Sequence, residues 1–156
     1  VNQEELLAYE SQFIKMGYEG LMVRSLEGPY KHGRSTLKEG SLLKLKRFKD
    51  AEAAIVGFVE RMHNNNVATK NELGRTERSS FKSGMVPTDS LGAFVVKFNN
   101  QEFEIGTGFN EEQRVNLWKI RENLLGKLVK FKYQDLSKYG VPRFPVYLGM
   151  RDGRDL

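Results

Sequence analysis

Residues 42–47 read Leu-Leu-Lys-Leu-Lys-Arg. In an extended strand alternate side chains share a face, so Lys44 and Lys46 stand side by side with Leu42, about 6–7 Å apart. Leu43, Leu45 and Arg47 point the other way. Two ammonium groups that close repel each other, and an ordinary solvated strand gains nothing from the pair. An anion bound between them would change that, which makes the pair a candidate phosphate contact. The surrounding charge points the same way. From Arg24 to Lys49 there are eight basic residues and two acidic ones, a local excess larger than the +5 of the whole chain. Such a concentration suits a phosphate-bearing partner, with a solvated basic surface as the plainer alternative.

Other chemistries drop out by composition. The 156 residues contain no cysteine, which removes disulfides, thiolate catalysis and Cys-ligated zinc. With His32 and His63 the only histidines, a histidine-based metal site is not expected. No apolar run reaches the length of a membrane span, and no signal peptide is visible. The first residue is Val1, at the edge of a helical pattern, so the chain reads as a piece of something longer.

The elements that must position the lysines can be read in order. Residues 2–16 form a helix with Leu6, Tyr9, Phe13 and Met16 at three- and four-residue intervals, Asn2 as N-cap and Gly17 as its stop. Residues 20–25 form a short apolar strand, 26–41 a glycine-rich loop, and 42–47 the lysine strand. Beyond Lys49 the texture changes. Strands are expected at 51–60, 91–98 and 101–109, the last two joined by Asn99-Asn100, a hairpin signal. Asn110 and Gln113 open a helix by a capping-box variant, carried by Leu117, Ile120 and Leu124 to Gly126. Strands follow at 127–133 and 145–151. Residues 61–90 are polar, lack periodicity and read as one long loop, either functional or mobile.

The fold class is mainly β with α, and two regions are expected. Residues 1–48 are too few to stand alone and read as the end of a larger domain. Residues 49–156 give five strands with a helix between the third and fourth, the element order of an OB-fold barrel. Gly106 and Gly108 fit bulge or turn glycines of that barrel better than a phosphate loop. Phe13 and Trp118 are expected in the core.

Three stretches together resemble the ATP-dependent DNA ligases of the covalent nucleotidyltransferase superfamily. Glu19-Gly-Leu-Met-Val-Arg-Ser25 resembles the fourth signature motif, and Leu42-Leu-Lys-Leu-Lys-Arg-Phe48 the fifth, with its Lys-x-Lys core. Tyr30-Lys-His-Gly-Arg-Ser35 resembles the connector between them. Phe103–Phe109 and Pro142–Asp155, the latter similar to the sixth motif, extend the likeness over nearly the whole chain. It implies that residues 1–48 end an adenylation domain and that residues 49–156 are the OB domain, of phage or bacterial type.

The resemblance also implies roles. Lys44 and Lys46 would face the AMP α-phosphate and Glu19 would hold Mg²⁺, which suits the charged transition state of nucleotidyl transfer. Arg24, Arg34, Arg143, Arg151, Asp152 and Arg154 would contact nucleotide or phosphate, Arg34 being alternatively a plain loop cation. Lys97, Lys130 and Lys132 on the barrel, with Lys70, Arg75, Arg78 and Lys82 of the insert, would grip the DNA backbone. The implied cofactors are ATP and Mg²⁺. The implied partners are nicked duplex DNA and the missing N-terminal part of the ligase, in a monomeric protein of a bacterial or phage-infected cytoplasm. The family nucleophile, the lysine of Lys-x-Asp-Gly, is not in this sequence: Asp152-Gly153 is preceded by Met150 where that lysine would stand. The chain alone is therefore expected not to self-adenylate. Two alternatives remain: an mRNA-capping guanylyltransferase, or a stand-alone OB module for single strands, which would call for stacking aromatics on the barrel face.

Overall fold

The computed structural model describes residues 2–151, in two compact units that divide at Phe48 and Lys49. The N-terminal unit begins with α1 (Gln3–Lys15). Asn2 caps it reciprocally: its Oδ1 accepts from Glu5 N at 2.8 Å, and Asn2 N donates to the Glu5 carboxylate at 3.1 Å. β1 (Gly20–Arg24) and β2 (Leu42–Lys46) then pair as an antiparallel ribbon, with Gly20 opposite Lys46 and Met22 opposite Lys44.

The apolar stripe expected on α1 is displaced. Tyr9 and Met16 are exposed, while Glu10 is buried, beside half-buried Leu6, Phe13 and Ile14. An acid sits at the inward position because it meets a cation there, described below. Spacing alone cannot see such a partner.

The second unit runs β3 (Lys49–Asn64), β4 (Ala68–Lys70), β5 (Thr76–Arg78), β6 (Met85–Phe98), β7 (Gln101–Ile105), α2 (Glu111–Lys119), β8 (Leu128–Tyr133) and β9 (Val146–Met150). Five strands form one antiparallel sheet in the order β7-β6-β3-β8-β9. Its ends meet through a parallel bridge between Thr107 and Val146. There Tyr147 N donates to Thr107 O at 2.9 Å, and Thr107 Oγ1 donates to Pro145 O at 2.8 Å. This is the OB barrel, with its helix between the third and fourth barrel strands.

Alternation in the strands fills the barrel. Ile55, Phe94, Val96, Ile105, Val129 and Phe131 are fully buried, with Phe58, Phe98 and Phe103 packed against them. Trp118 lies against this core only in part and carries the Arg121 guanidinium 4.3 Å from its ring centre. The turn Asn99-Asn100 holds both residues at positive φ, as a two-residue hairpin of this twist requires. Gly108 (φ +97°) lies where a Cβ would meet Tyr147 O at 2.4 Å, so it is a closure glycine rather than part of a phosphate loop.

Arg114 fastens α2 to the barrel, donating to the carbonyls of Leu91 (2.7 Å), Gly92 (2.9 Å) and Gly106 (2.8 Å). The helix it belongs to ends at Lys119, before a separate 3₁₀ turn at Arg121–Leu124, so the expected single helix to Gly126 is two elements.

The reading of 61–90 as a structureless loop is overturned. β3 and β6 continue past the barrel and stay paired out to Asn64 and Met85, forming a projecting arm. At its tip β4 and β5 make a second small hairpin, turned by Asn71, whose Oδ1 accepts from Leu73 N and Arg75 N. Asn66 ties the return strand with its Nδ2, which donates to Ser79 O (3.0 Å) and Phe81 O (2.9 Å). Most arm residues are exposed or half-buried, which is why the segment shows no alternation. Its order comes from backbone ladders and asparagine side chains.

Candidate nucleotide and nucleic-acid site

In the N-terminal unit the register of the ribbon decides the geometry. Gly20 (φ +151°) faces Lys46 so closely that a Cβ would lie 2.1 Å from Leu45 O. Only glycine fits, and the carboxylate one residue earlier is thereby brought to the lysine: Glu19 Oε2 accepts from Lys46 Nζ. The Lys46 side chain is only 14 % exposed and that of Glu19 68 %. Lys44 is exposed, two residues along on the same face of β2. The Glu-Gly of one motif and the Lys-x-Lys of the other thus form one constellation.

Around it the loop 26–41 carries the other cations. Arg24 ends β1 with its guanidinium 5.7 Å from the Tyr30 ring centre. Lys31 Nζ donates to Glu39 Oε1 at 2.6 Å and Thr36 N to Glu39 Oε2 at 2.8 Å, closing the loop that presents Arg34. The Lys31 ammonium, then the Thr36 amide, hold the Glu39 carboxyl below its ordinary range. Among the described residues no three His, Asp or Glu side chains gather as a metal cage. Glu19 is a single carboxylate donor. That suits Mg²⁺, which is commonly held by one or two carboxylates with phosphate oxygens and water completing the octahedron.

In the barrel unit the register qualifies the strand lysines. Lys97 lies opposite Glu102, Lys130 opposite Glu52, and Lys132 opposite Asp50. They lie on a ladder of mixed charge rather than on a purely cationic track. The arm tip is different: Lys70, Arg75, Arg78 and Lys82 are all exposed there, against Glu72 and Glu77. Lys70 Nζ donates to Thr76 Oγ1 (2.8 Å) and Arg78 Nη1 to Asn66 O (2.5 Å), which holds those two against the hairpin.

Of the last motif, Arg151 Nη1 donates to Glu52 Oε2 at 2.5 Å, while Asp152 and Arg154 lie outside the described residues. Arg143 has its guanidinium 5.7 Å from the ring centre of Phe144. Phe144 itself went unnoticed in the sequence. It is 63 % exposed, and its φ of +54° is a rare conformation for a bulky residue. With Tyr139, also exposed, it lies in the β8–β9 loop, one of the two loops by which OB-folds bind oligonucleotides. The flanking Arg-Phe-Pro was the available signal, since it fits neither a strand nor a common turn.

Comparison with known proteins shows what the chain as a whole is similar to. Residues 84–151 match the family model described as the DNA ligase OB-like domain. Over those residues the C-terminal unit is similar to the OB-like domain of DNA ligases. Curated relatives of the chain include the DNA ligase of African swine fever virus, 42 % identical over 59 residues that make up 38 % of this chain and 14 % of that protein. The DNA ligase of Haemophilus influenzae is 27 % identical over 94 % of this chain and 43 % of its own length. Among solved structures, a Chlorella virus DNA ligase–adenylate is 40 % identical and aligns with 97 % of this chain and 48 % of its own, at a TM-score of 0.54. A Lig E DNA ligase, described as binding DNA with a minimal scaffold, is 28 % identical over 96 % of this chain and 47 % of its own, at a TM-score of 0.63. The chain therefore spans less than half the length of these ligases. These relatives are DNA ligases, which supports the ligase reading over the guanylyltransferase and stand-alone OB readings.

Proposed function

We propose that the chain is the C-terminal portion of an ATP-dependent DNA ligase, one that seals nicks in duplex DNA through adenylated intermediates. The contact between Glu19 and Lys46, dictated by Gly20, carries the reading. It unites two separate motifs at one point, as phosphate chemistry needs. Lys44 and Lys46 neutralise the AMP α-phosphate while it is transferred. Preorganised cations stabilise that developing charge at no cost of reorganisation when the reaction occurs. Glu19 holds the Mg²⁺, which when bound supplies further neutralisation of the phosphate. Arg24 and Arg34 extend the cationic surface along the nucleic acid. ATP binding and the nucleophilic lysine belong to the N-terminal part of the ligase.

The OB domain grips the duplex. Lys70, Arg75, Arg78 and Lys82 of the arm engage backbone phosphates without reading sequence, and Lys97, Lys130 and Lys132 contribute less because each lies opposite an acid. Phe144 and Tyr139 offer apolar contact beside Arg143. In this proposal Arg151 reaches phosphate only after leaving Glu52.

The test uses the complete ligase with labelled ATP or GTP. Covalent labelling by ATP is expected, and labelling by GTP alone would overturn the reading. For the chain itself, titration with nicked duplex and with single strands should favour the duplex; preference for single strands would point to a plain OB module.

A further inference from the structure

The back of the lysine strand is anchored in an unusual way. Among the described residues 2–48, Glu10 alone is buried, at 2 % exposure. The Arg47 guanidinium embraces its carboxylate: Nε donates to Oε1 at 2.7 Å and Oε2 at 2.9 Å, and Nη2 donates to Oε2 at 2.5 Å. Nη2 also donates to Ser11 Oγ at 2.9 Å. The fork spans from α1 to the residue after β2, and Arg47 directly follows Lys46 in the chain.

We propose that Glu10 and Arg47 are positioning residues, a clamp on α1 that sets the face on which β2 presents Lys44 and Lys46. The inference rests on the reading of those lysines as phosphate contacts. A buried carboxylate is tolerated only when it is paired and hydrogen-bonded. A two-stranded ribbon with five-residue strands is marginal by itself. Its back-face residues Leu21, Val23, Leu43 and Leu45 are only half-buried, so apolar packing holds the strand loosely. The ion pair supplies the directional restraint. Because side chains alternate, a twist or slip of β2 at Arg47 carries Lys46 away from Glu19 and Lys44 out of line with it. Arg47 acts from the face opposite the lysines and does not itself reach the phosphate.

The test uses the full 156-residue chain with isotope labelling. Two quantities are read: amide exchange at Leu43 and Leu45, and the AMP-induced shift of the Lys44 and Lys46 side-chain signals. Arg47→Ala should speed exchange by about tenfold or more, because it leaves a buried carboxylate unpaired. It should also weaken the AMP response several-fold. Arg47→Lys should recover part of both, and the exchanged pair Glu10→Arg with Arg47→Glu most of both. Unchanged exchange and response in Arg47→Ala would overturn the clamp. So would a lost AMP response with unchanged exchange, which would make Arg47 a phosphate contact. If Arg47→Ala unfolds the unit, a folded Arg47→Lys with wild-type values for both readouts overturns it equally. A wild-type chain with no AMP response, in which Arg47→Ala still speeds exchange, supports the clamp, and the phosphate reading then stands or falls on sealing by Lys44→Glu and Lys46→Glu in the complete ligase.

Discussion

Gly108→Ala should open the barrel. The added Cβ would lie 2.4 Å from Tyr147 O, 2.7 Å from Tyr147 N and 2.9 Å from Val146 Cγ1, at a residue whose φ is +97°. Two of these atoms are backbone, so no side chain can swing aside. Left-handed strain costs about 1–3 kcal/mol. The forced separation of the two strands would also remove the Tyr147 N–Thr107 O and Thr107 Oγ1–Pro145 O hydrogen bonds, each contributing about 1 kcal/mol net. The total, about 3–5 kcal/mol, is a large share of the stability of a domain this size. At about 4–8 °C per kcal/mol, thermal denaturation should show the OB unit melting about 12–40 °C earlier. Gly126→Ala is the control: its φ is +77° but a Cβ there meets nothing within 4 Å, so about 1 kcal/mol is expected. If Gly108→Ala melts no earlier than Gly126→Ala, the backbone contact is not what closes the barrel.

Replacing Lys70, Arg75, Arg78 and Lys82 together by Ala should lower the slope of log K against log salt for duplex binding by up to about 3–4, with no change in sequence preference; an unchanged slope would remove the arm from the DNA. In the complete ligase, Lys44→Glu or Lys46→Glu should abolish sealing while circular dichroism shows an intact fold, and near-normal turnover in either would contradict their assigned role. Hydrogen bonds from Arg47 hold the Glu10 carboxyl below its ordinary value of 4.5. A depressed carboxyl contributes stability above that value and loses it as pH falls through the folded one. Amide protection across the N-terminal unit should therefore fade on acidification below about pH 4.5 in the wild type and show less of this pH dependence in Arg47→Ala. Phe131→Ala, which empties a fully buried position ringed by Phe98, Phe103 and Tyr133, should cost about 3–5 kcal/mol in chemical denaturation.

Local pattern alone determined a good deal about this chain. Alternation in 91–98 and 127–133, the Asn99-Asn100 turn and the two asparagine caps are short-range features, readable because the physics that produces them spans only a few residues. The pairing of Lys44 with Lys46 belongs to the same class, being no more than strand periodicity. Tertiary structure decided the rest. Nothing in the helical spacing marks Glu10 for burial; Arg47, far along the chain, meets it there. The arm at 61–90 has no apolar face to advertise it, and its order lies in cross-strand backbone bonds that no periodicity encodes. Lys97, Lys130 and Lys132 were legible as cations for a DNA backbone, but not the carboxylate that register sets opposite each. Charge partners, strand register and barrel closure are long-range quantities: they depend on which segments meet, and a linear sequence states only what each segment would do by itself.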